Sequence, residues 1–180
     1  RLTAEVGDLT QQAETRLVAA RLAVAAPAGG VRLDAAGNAI DRVSGTARDG
    51  IAIRTASALT LEGTGLHAAS VMLRAADDIG QETAALVVAE ELRAHSEAGA
   101  VRLQDPLNRI GAPGDSAAAT ELMLGTEGTL RVTGAVAAPL VALTAAEGIS
   151  QDGGTISADV LRAVAPVSYT HLTLPTNREV

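Results

Sequence analysis

An internal repeat constrains this chain more than any other feature of its sequence. The stretch from Val71 to Ile110 is matched seventy residues earlier without a gap. The counterparts are Leu9, Gln11, Leu22, Gly29, Val31, Arg32, Leu33, Asn38 and Ile40, which stand where Ile79, Gln81, Leu92, Gly99, Val101, Arg102, Leu103, Asn108 and Ile110 stand in that stretch. A third copy begins at Val141 and slips by one residue after Gln151. Because a fixed period is the signature of stacked architectures, the repeat predicts an array of similar units.

Short segments within the repeat alternate apolar and polar residues, as half-buried β-strands do. Examples are 31–33, 51–53, 59–61 and 71–73, which are separated by turn residues such as Asp49-Gly50 and Asp77-Asp78. The steps from Ile51 to Val71 and from Leu59 to Ile79 are both 20 residues, about one coil of a parallel β-helix. We therefore predict an all-β chain folded as a parallel β-helix, a solenoid of stacked short strands.

The alternation also predicts which side chains face inward. The expected inward residues are Val31, Leu33, Ile53, Leu61, Val71, Leu73, Ile79, Val101, Leu103, Leu130, Val132, Val141, Leu143 and Ile149. Arg32 and Arg102 should face outward between them. Asn38 and Asn108 are expected at corners, where an Asn amide can bond neighbouring backbone and the residue tolerates left-handed geometry.

A helical fold is the alternative, because Ala and Leu favour helices locally at 13–26 and 83–95. Pro27 and Gly29-Gly30 would end the first of these helices. Residues 99–116 contain two prolines and several glycines, which predict a corner or a small excursion from the coil.

The composition limits which residue types can form the core and which classes of partner the chain can bind. Hydrophobic residues make up 47% of the 180 residues, yet Phe and Trp are absent and Tyr169 is the single Tyr, so the core must be aliphatic. The absence of Cys excludes disulfides, Cys-based zinc sites and Cys nucleophiles. A net charge of −7 disfavours nucleic acid and anionic membranes as partners. No apolar run reaches the roughly 20 residues of a membrane helix, so we expect no membrane insertion.

The residues with possible chemistry are scattered. Acidic pairs occur at Asp77-Asp78 and Glu90-Glu91, histidines at His67, His95 and His171, and glycine pairs at Gly63-x-Gly65 and Gly125-x-x-Gly128. Catalytic carboxylates must be held across a substrate, whereas these pairs are typical of solvated corners. The histidines lack a second ligand at metal spacing, and neither glycine pair completes a phosphate loop. We expect no catalytic residue, no cofactor and no metal, and hence no enzyme.

The last residues depart from this pattern. Residues 167–180 read VSYTHLTLPTNREV and resemble a translated transposon-type sequencing-library adapter, whose codons give Val167 to Thr176 in order. We therefore expect two regions: a β-helix repeat segment at 1–166, itself a piece of a longer protein, and a non-native or disordered tail at 167–180.

The repeat resembles the β-strand repeats of large exported bacterial proteins: filamentous haemagglutinins, two-partner-secretion exoproteins and autotransporter passengers. The resembling residues, within about 1–165, are Leu73-x-Ala75-x-x-x-Ile79-x-Gln81, Val87-x-Ala89-x-x-Leu92 and Gly99-x-Val101-x-Leu103-x4-Asn108-x-Ile110.

This resemblance implies a right-handed parallel β-helix that is secreted or exposed on the surface of a Gram-negative bacterium. It also implies a structural or stalk role in an adhesin, export through an outer-membrane transporter, and host or neighbouring-cell surface components as partners. Because some β-helix proteins are polysaccharide lyases or hydrolases, the alternative is a β-helix enzyme acting on polysaccharide.

Overall fold

The computed structural model describes residues 1–166 and 169–170, and all regular structure in this part of the chain is β-strand. In chain order the strands are β1 (Leu2–Thr3), β2 (Leu9–Thr10), β3 (Val18–Ala19), β4 (Leu22–Ala26), β5 (Val31–Leu33), β6 (Ala39–Ile40), β7 (Arg42–Ala47), β8 (Gly50–Thr55), β9 (Leu59–His67), β10 (Ser70–Ala75), β11 (Ile79–Gln81), β12 (Val87–Ser96), β13 (Val101–Leu103), β14 (Arg109–Pro113), β15 (Ser116–Ala117), β16 (Glu121–Thr126), β17 (Thr129–Val132), β18 (Ala135–Ala137), β19 (Leu140–Ala145), β20 (Gly148–Gln151), β21 (Thr155–Ser157), β22 (Val160–Val164) and β23 (Tyr169–Thr170). Across these residues, a search for helices able to cross a membrane finds none.

The strands form a parallel β-solenoid of about eight turns with three walls, which confirms the predicted fold class. The first wall stacks Leu33, Ile53, Leu73 and Ala94, and continues through Ser116, Val136 and Ile156. The second wall stacks Leu59, Ile79, Val101, Leu122, Val141 and Leu161. The third wall stacks Leu2, Val24, Gly45, Leu66 and Val87, and later Leu130 and Ile149. Paired residues are about 20 apart in sequence, so the predicted coil length is also confirmed.

The Ala-rich segments at 13–26 and 83–95 are strands, so the helical alternative is wrong. β3 and β4 occupy the first segment, and β12 runs through most of the second from the third wall into the first. Ala26 and Ala94 point inward and are fully buried. Stacking on neighbouring coils overrides the local helical preference of these residues. Residues 99–116 contain corners and no excursion, since β13, β14 and β15 continue the coils and Asn108 lies at the corner between β13 and β14.

A single aliphatic core runs through the solenoid. All fourteen predicted inward residues are at most 3% exposed, whereas Arg32 and Arg102 between them are exposed. Burying one such side chain contributes about 1.5–3 kcal/mol. No coil buries its inward face alone, because each coil depends on the next to cover it. Every buried side-chain nitrogen and oxygen in the described residues has a hydrogen-bond partner.

The repeated Asn and Gln residues form a polar clip at each predicted corner. Asn108 is fully buried, and its Oδ1 accepts hydrogen bonds from Val87 N (2.8 Å) and Gln81 Nε2 (2.6 Å). Its Nδ2 donates to Leu103 O (3.1 Å) and Gln81 Oε1 (3.2 Å). The predicted corner position and backbone bonding are thus confirmed, but the backbone of Asn108 is not left-handed.

The first copy of the repeat builds the same clip. Asn38 is bonded to Leu17 N, Leu33 O and both amide atoms of Gln11. A buried threonine of the following coil completes each corner: Thr55 Oγ1 accepts from Ile40 N, and Thr126 Oγ1 accepts from Ile110 N. The sequence repeat therefore preserves a hydrogen-bonded corner that spans three coils.

The repeat does not contain a whole number of coils. Leu9 belongs to the first wall, its counterpart Ile79 to the second, and the third-copy counterpart Ile149 to the third. Seventy residues therefore make three coils and one further wall. The clip at Gln11–Asn38 lies between the first and second walls, and the clip at Gln81–Asn108 lies between the second and third.

Each copy also has a residue in the left-handed region two or three positions after the repeated Gln. These residues are Glu14 (φ 62°), Ala84 (φ 65°) and Gly153 (φ 76°). The Gln side chain closes the loop in each case, donating to Thr15 O, Ala85 O or Gly154 O. Only the third copy has Gly, the residue that adopts this conformation without strain.

We expect Ala84→Gly to stabilise the chain by about 0.5–1 kcal/mol, because it relieves left-handed strain at the cost of some unfolded-state entropy. Gly153→Ala should destabilise by about 1 kcal/mol for the same reason. Urea unfolding followed by far-UV circular dichroism measures both changes. Shifts of equal sign in the two variants would contradict this account of the loop.

Two residues of the expected tail are placed on the array. Tyr169 and Thr170 pair in parallel with Ile149 and Ser150, one coil earlier. An open coil edge presents unpaired backbone groups and can pair with any extended segment. The other residues of the tail lie outside the described part of the chain.

Candidate binding groove

A shallow groove of about 790 Å³ follows the junction between the third and first walls. Its floor is made of small side chains from successive coils, Ala47, Ala68 and Ala89. One side is the outward column Thr46, His67, Val88 and Arg109, whose members pair in register from coil to coil. The other side includes Arg48, Ala69 and Glu90. A groove of this size suits an extended ligand that lies along the solenoid axis.

A bulge in β9 rises beside this groove. Val43 of β7 faces Leu61 and Gly45 faces Leu66, so residues 62–65 lie opposite the single residue Ser44. Gly63 (φ 60°) and Gly65 (φ 78°) supply the left-handed turns that the bulge needs. His67 Nε2 lies 2.8 Å from Thr64 O and fastens the bulge to the wall.

Both arginines that line the groove are paired within the chain. Arg48 binds Asp49 at 2.8 Å, and Arg109 forms an ion pair with Glu127. The hydrogen bond from Arg48 lowers the pKa of Asp49 and raises the pKa of Arg48 itself. Such solvent-exposed pairs add little to stability. With an apolar floor and both rim arginines paired, the groove suits an apolar ligand better than an anion.

The acidic pair Asp77-Asp78 is part of a corner. Asp78 Oδ1 accepts a hydrogen bond from Ala100 N at 2.7 Å, and its Oδ2 forms an ion pair with Arg102 at 3.3 Å. Asp8, seventy residues earlier, caps Gly30 N in the same way. Asp78 therefore closes a turn of the repeat and is not aimed at a cleft.

The second acidic pair lies at the wall junction. Glu90 faces the groove, and Glu91 forms an ion pair with Arg93 at 2.9 Å. Asp77-Asp78 precedes the second wall, whereas Glu90-Glu91 lies where the third wall passes into the first. The structure does not bring the two pairs together across a common cavity.

The histidines occupy separate walls. His67 lies on the third wall beside the groove, His95 points outward on the first wall, and His171 lies outside the described residues. Among residues 1–166 and 169–170, no three His, Cys, Asp or Glu side chains form a group that could hold a metal.

The glycine pairs are structural. Gly63 and Gly65 shape the β9 bulge, and Gly125 lies where an added Cβ would come within 2.6 Å of Gln104 O of the preceding coil. Gly128 lines the groove.

Sequence reasoning missed the residues that line the groove. Thr46, His67, Val88 and Arg109 are each 21 residues apart, which is the length of a coil at this wall. Aligning the chain by coils, rather than by the seventy-residue repeat, would have placed them in one column.

One comparison with known proteins gives a match. Residues 48–117 match a family described as repeats of unknown function (DUF5649). The matched segment is seventy residues long, which equals the internal repeat, and it runs from the end of β7 to β15. No curated protein and no solved structure matches the chain.

Proposed function

We propose that this chain is a non-catalytic structural segment of a secreted or cell-surface bacterial adhesin, exported through an outer-membrane transporter. The observation that carries the proposal is the continuous aliphatic core, in which successive coils share one ladder system from β1 to β22. Such a stack is stiff along its axis and extends by about 4.8 Å per coil. It is suited to holding another part of the parent protein away from the cell.

The use of the carboxylates supports a non-catalytic role. Asp8 and Asp78 cap backbone N–H groups, while Glu62, Glu82 and Glu121 pair with arginines one or two coils earlier. These contacts join coils together. Catalytic acids, in contrast, lie together in a cavity and have perturbed pKa values.

Antibodies against the chain test the proposed location. We expect them to label intact source cells or to detect the protein in the culture medium, and we expect protease added to intact cells to remove the signal. Labelling that requires cell lysis would contradict the proposal.

An activity assay tests the non-catalytic role. Incubation with a panel of uronate polymers should give no new unsaturated or reducing ends. If such ends appear, and are lost in Asp77→Asn and Asp78→Asn but kept in Asp152→Asn, the chain is an enzyme and the proposal fails. Asp152 is a suitable control because it is an exposed acid of the third repeat copy.

A further inference from the structure

We infer that Arg74, Arg93 and His95 form a binding site for the carboxylate groups of a linear acidic polysaccharide. All three line one cavity of about 260 Å³ on the outer surface of the first wall. This site is separate from the groove and does not depend on the proposed function, because it would bind whether or not the chain is exported.

The register of the first wall places these side chains next to one another. Arg74 pairs with Arg54 of the preceding coil and with His95 of the following coil. Arg93 is two residues before His95 on the same strand, so both side chains point outward. The result is a column of three basic residues, Arg54, Arg74 and His95, along the solenoid axis, with Arg93 beside it.

Two arginines of this column, Arg54 and Arg74, lie directly opposite each other on neighbouring strands. Neighbouring strands lie about 4.8 Å apart, and like charges directly opposite each other destabilise a sheet. The chain carries 21 acidic residues against 14 arginines, so acidic partners are plentiful. Other arginines form ion pairs with these acidic residues; Arg42, for example, pairs with Glu62 and Glu82 of the following two coils. Arg74 forms no ion pair within the described residues, so its charge is left for a ligand to neutralise.

Two acidic residues near the site are paired with its other arginines, which leaves Arg74 as the arginine of the site without an ion pair in the described residues. Glu97 forms an ion pair with Arg54 at 3.5 Å. Glu91 Oε1 accepts a hydrogen bond from Arg93 Nε and lies 2.9 Å from Arg93 Nη2. The other N–H donors of the Arg93 guanidinium remain available, since an arginine has five. Asp115, which also lines the cavity, accepts a hydrogen bond from Ala135 N at 2.9 Å and so caps a corner.

The chemistry of the site favours carboxylates on a polymer of sugars. The guanidinium fork matches a carboxylate with two parallel hydrogen bonds. The column runs along the axis, so a linear chain with one charge on each unit can contact successive coils. Nucleic acid fits poorly, because residues 1–166 contain no aromatic side chain on which bases could stack.

Binding of polygalacturonate to the full chain, measured by biolayer interferometry, tests this site. We expect binding that weakens as salt is added, and no binding to neutral dextran. Arg74→Gln should weaken the affinity about tenfold or more, because a charge-assisted contact is lost. Arg131→Gln removes the same charge from an exposed position on the third wall and should change the affinity by less than about twofold.

Thermal unfolding gives a second readout. Arg74→Gln relieves repulsion in the column and should raise the melting temperature by about 1–3 °C, so weaker binding cannot be attributed to misfolding. Equal losses of affinity in Arg74→Gln and Arg131→Gln would overturn the site, as would equal binding of dextran. Binding of a single-stranded oligonucleotide with the same dependence on Arg74 would overturn the assignment to polysaccharide.

Discussion

Asn108→Ala is expected to lower the free energy of unfolding by about 3–5 kcal/mol. The side chain is fully buried and makes four hydrogen bonds, to Val87 N, Leu103 O and both amide atoms of Gln81. Alanine would leave these partners without their bonds inside the protein, and each unsatisfied buried group costs about 1–3 kcal/mol. Water entering the vacated space would recover part of the loss.

Urea unfolding monitored by far-UV circular dichroism measures this effect. Gln12→Ala is the matched control, because Gln12 is an exposed amide side chain and should change stability by less than about 0.5 kcal/mol. Asn38→Ala should resemble Asn108→Ala, since the first clip has equivalent bonds. A loss below about 1 kcal/mol for Asn108→Ala would show that the clip is not a main source of stability.

Gly65→Ala is expected to be at least as damaging, with a loss of about 3 kcal/mol or more. Gly65 has φ +78°, and an added Cβ would lie 2.0 Å from Leu86 O. Both the left-handed strain and the collision with the backbone of the next coil must be relieved by moving the bulge. We therefore also expect the contact between His67 and Thr64 to be disrupted.

Alanine substitutions at two other glycines distinguish the cost of left-handed backbone strain from the cost of a steric clash with the next coil. Gly63 has φ +60° but only the Ser44 side chain near its Cβ position, at 3.9 Å, so Gly63→Ala should cost about 1 kcal/mol. Gly80 has neither a positive φ nor a neighbour within 4 Å, so Gly80→Ala should be neutral or slightly stabilising. Thermal unfolding of the three variants should rank Gly65→Ala lowest. Equal losses at Gly63 and Gly65 would mean that close coil contact is unimportant there.

Much of the fold was predictable because two simple patterns agree. Alternation at Val71-Met72-Leu73 identifies an inward face, and the 20-residue step to Ile51 identifies the neighbouring coil. In a solenoid every coil makes the same contacts, so one correct strand assignment extends to the others. The repeated Asn38 and Asn108 marked the corners for the same reason.

Other features depend on spatial register and were not predictable from the repeat alone. The bulge at 62–65 depends on how β9 pairs with β7, and alternation cannot reveal three extra residues. The column of Arg54, Arg74 and His95 emerges only when coils of 20 and 21 residues are aligned strand by strand. Pro113 was one of the residues that predicted a corner or a small excursion, yet it is buried in β14 opposite Leu92, where Gly114 N donates the hydrogen bond to Leu92 O.

The step of three coils and one wall between successive copies has a geometric consequence. Three copies of seventy residues complete ten coils, so a longer array of this repeat would return each motif to its starting wall only after roughly 48 Å. Over that distance the same corner loop would be carried once to every side of the rod. A fibre built in this way would present the same corner loop on all three of its walls. A partner that recognises this loop could therefore bind from any direction around the fibre axis.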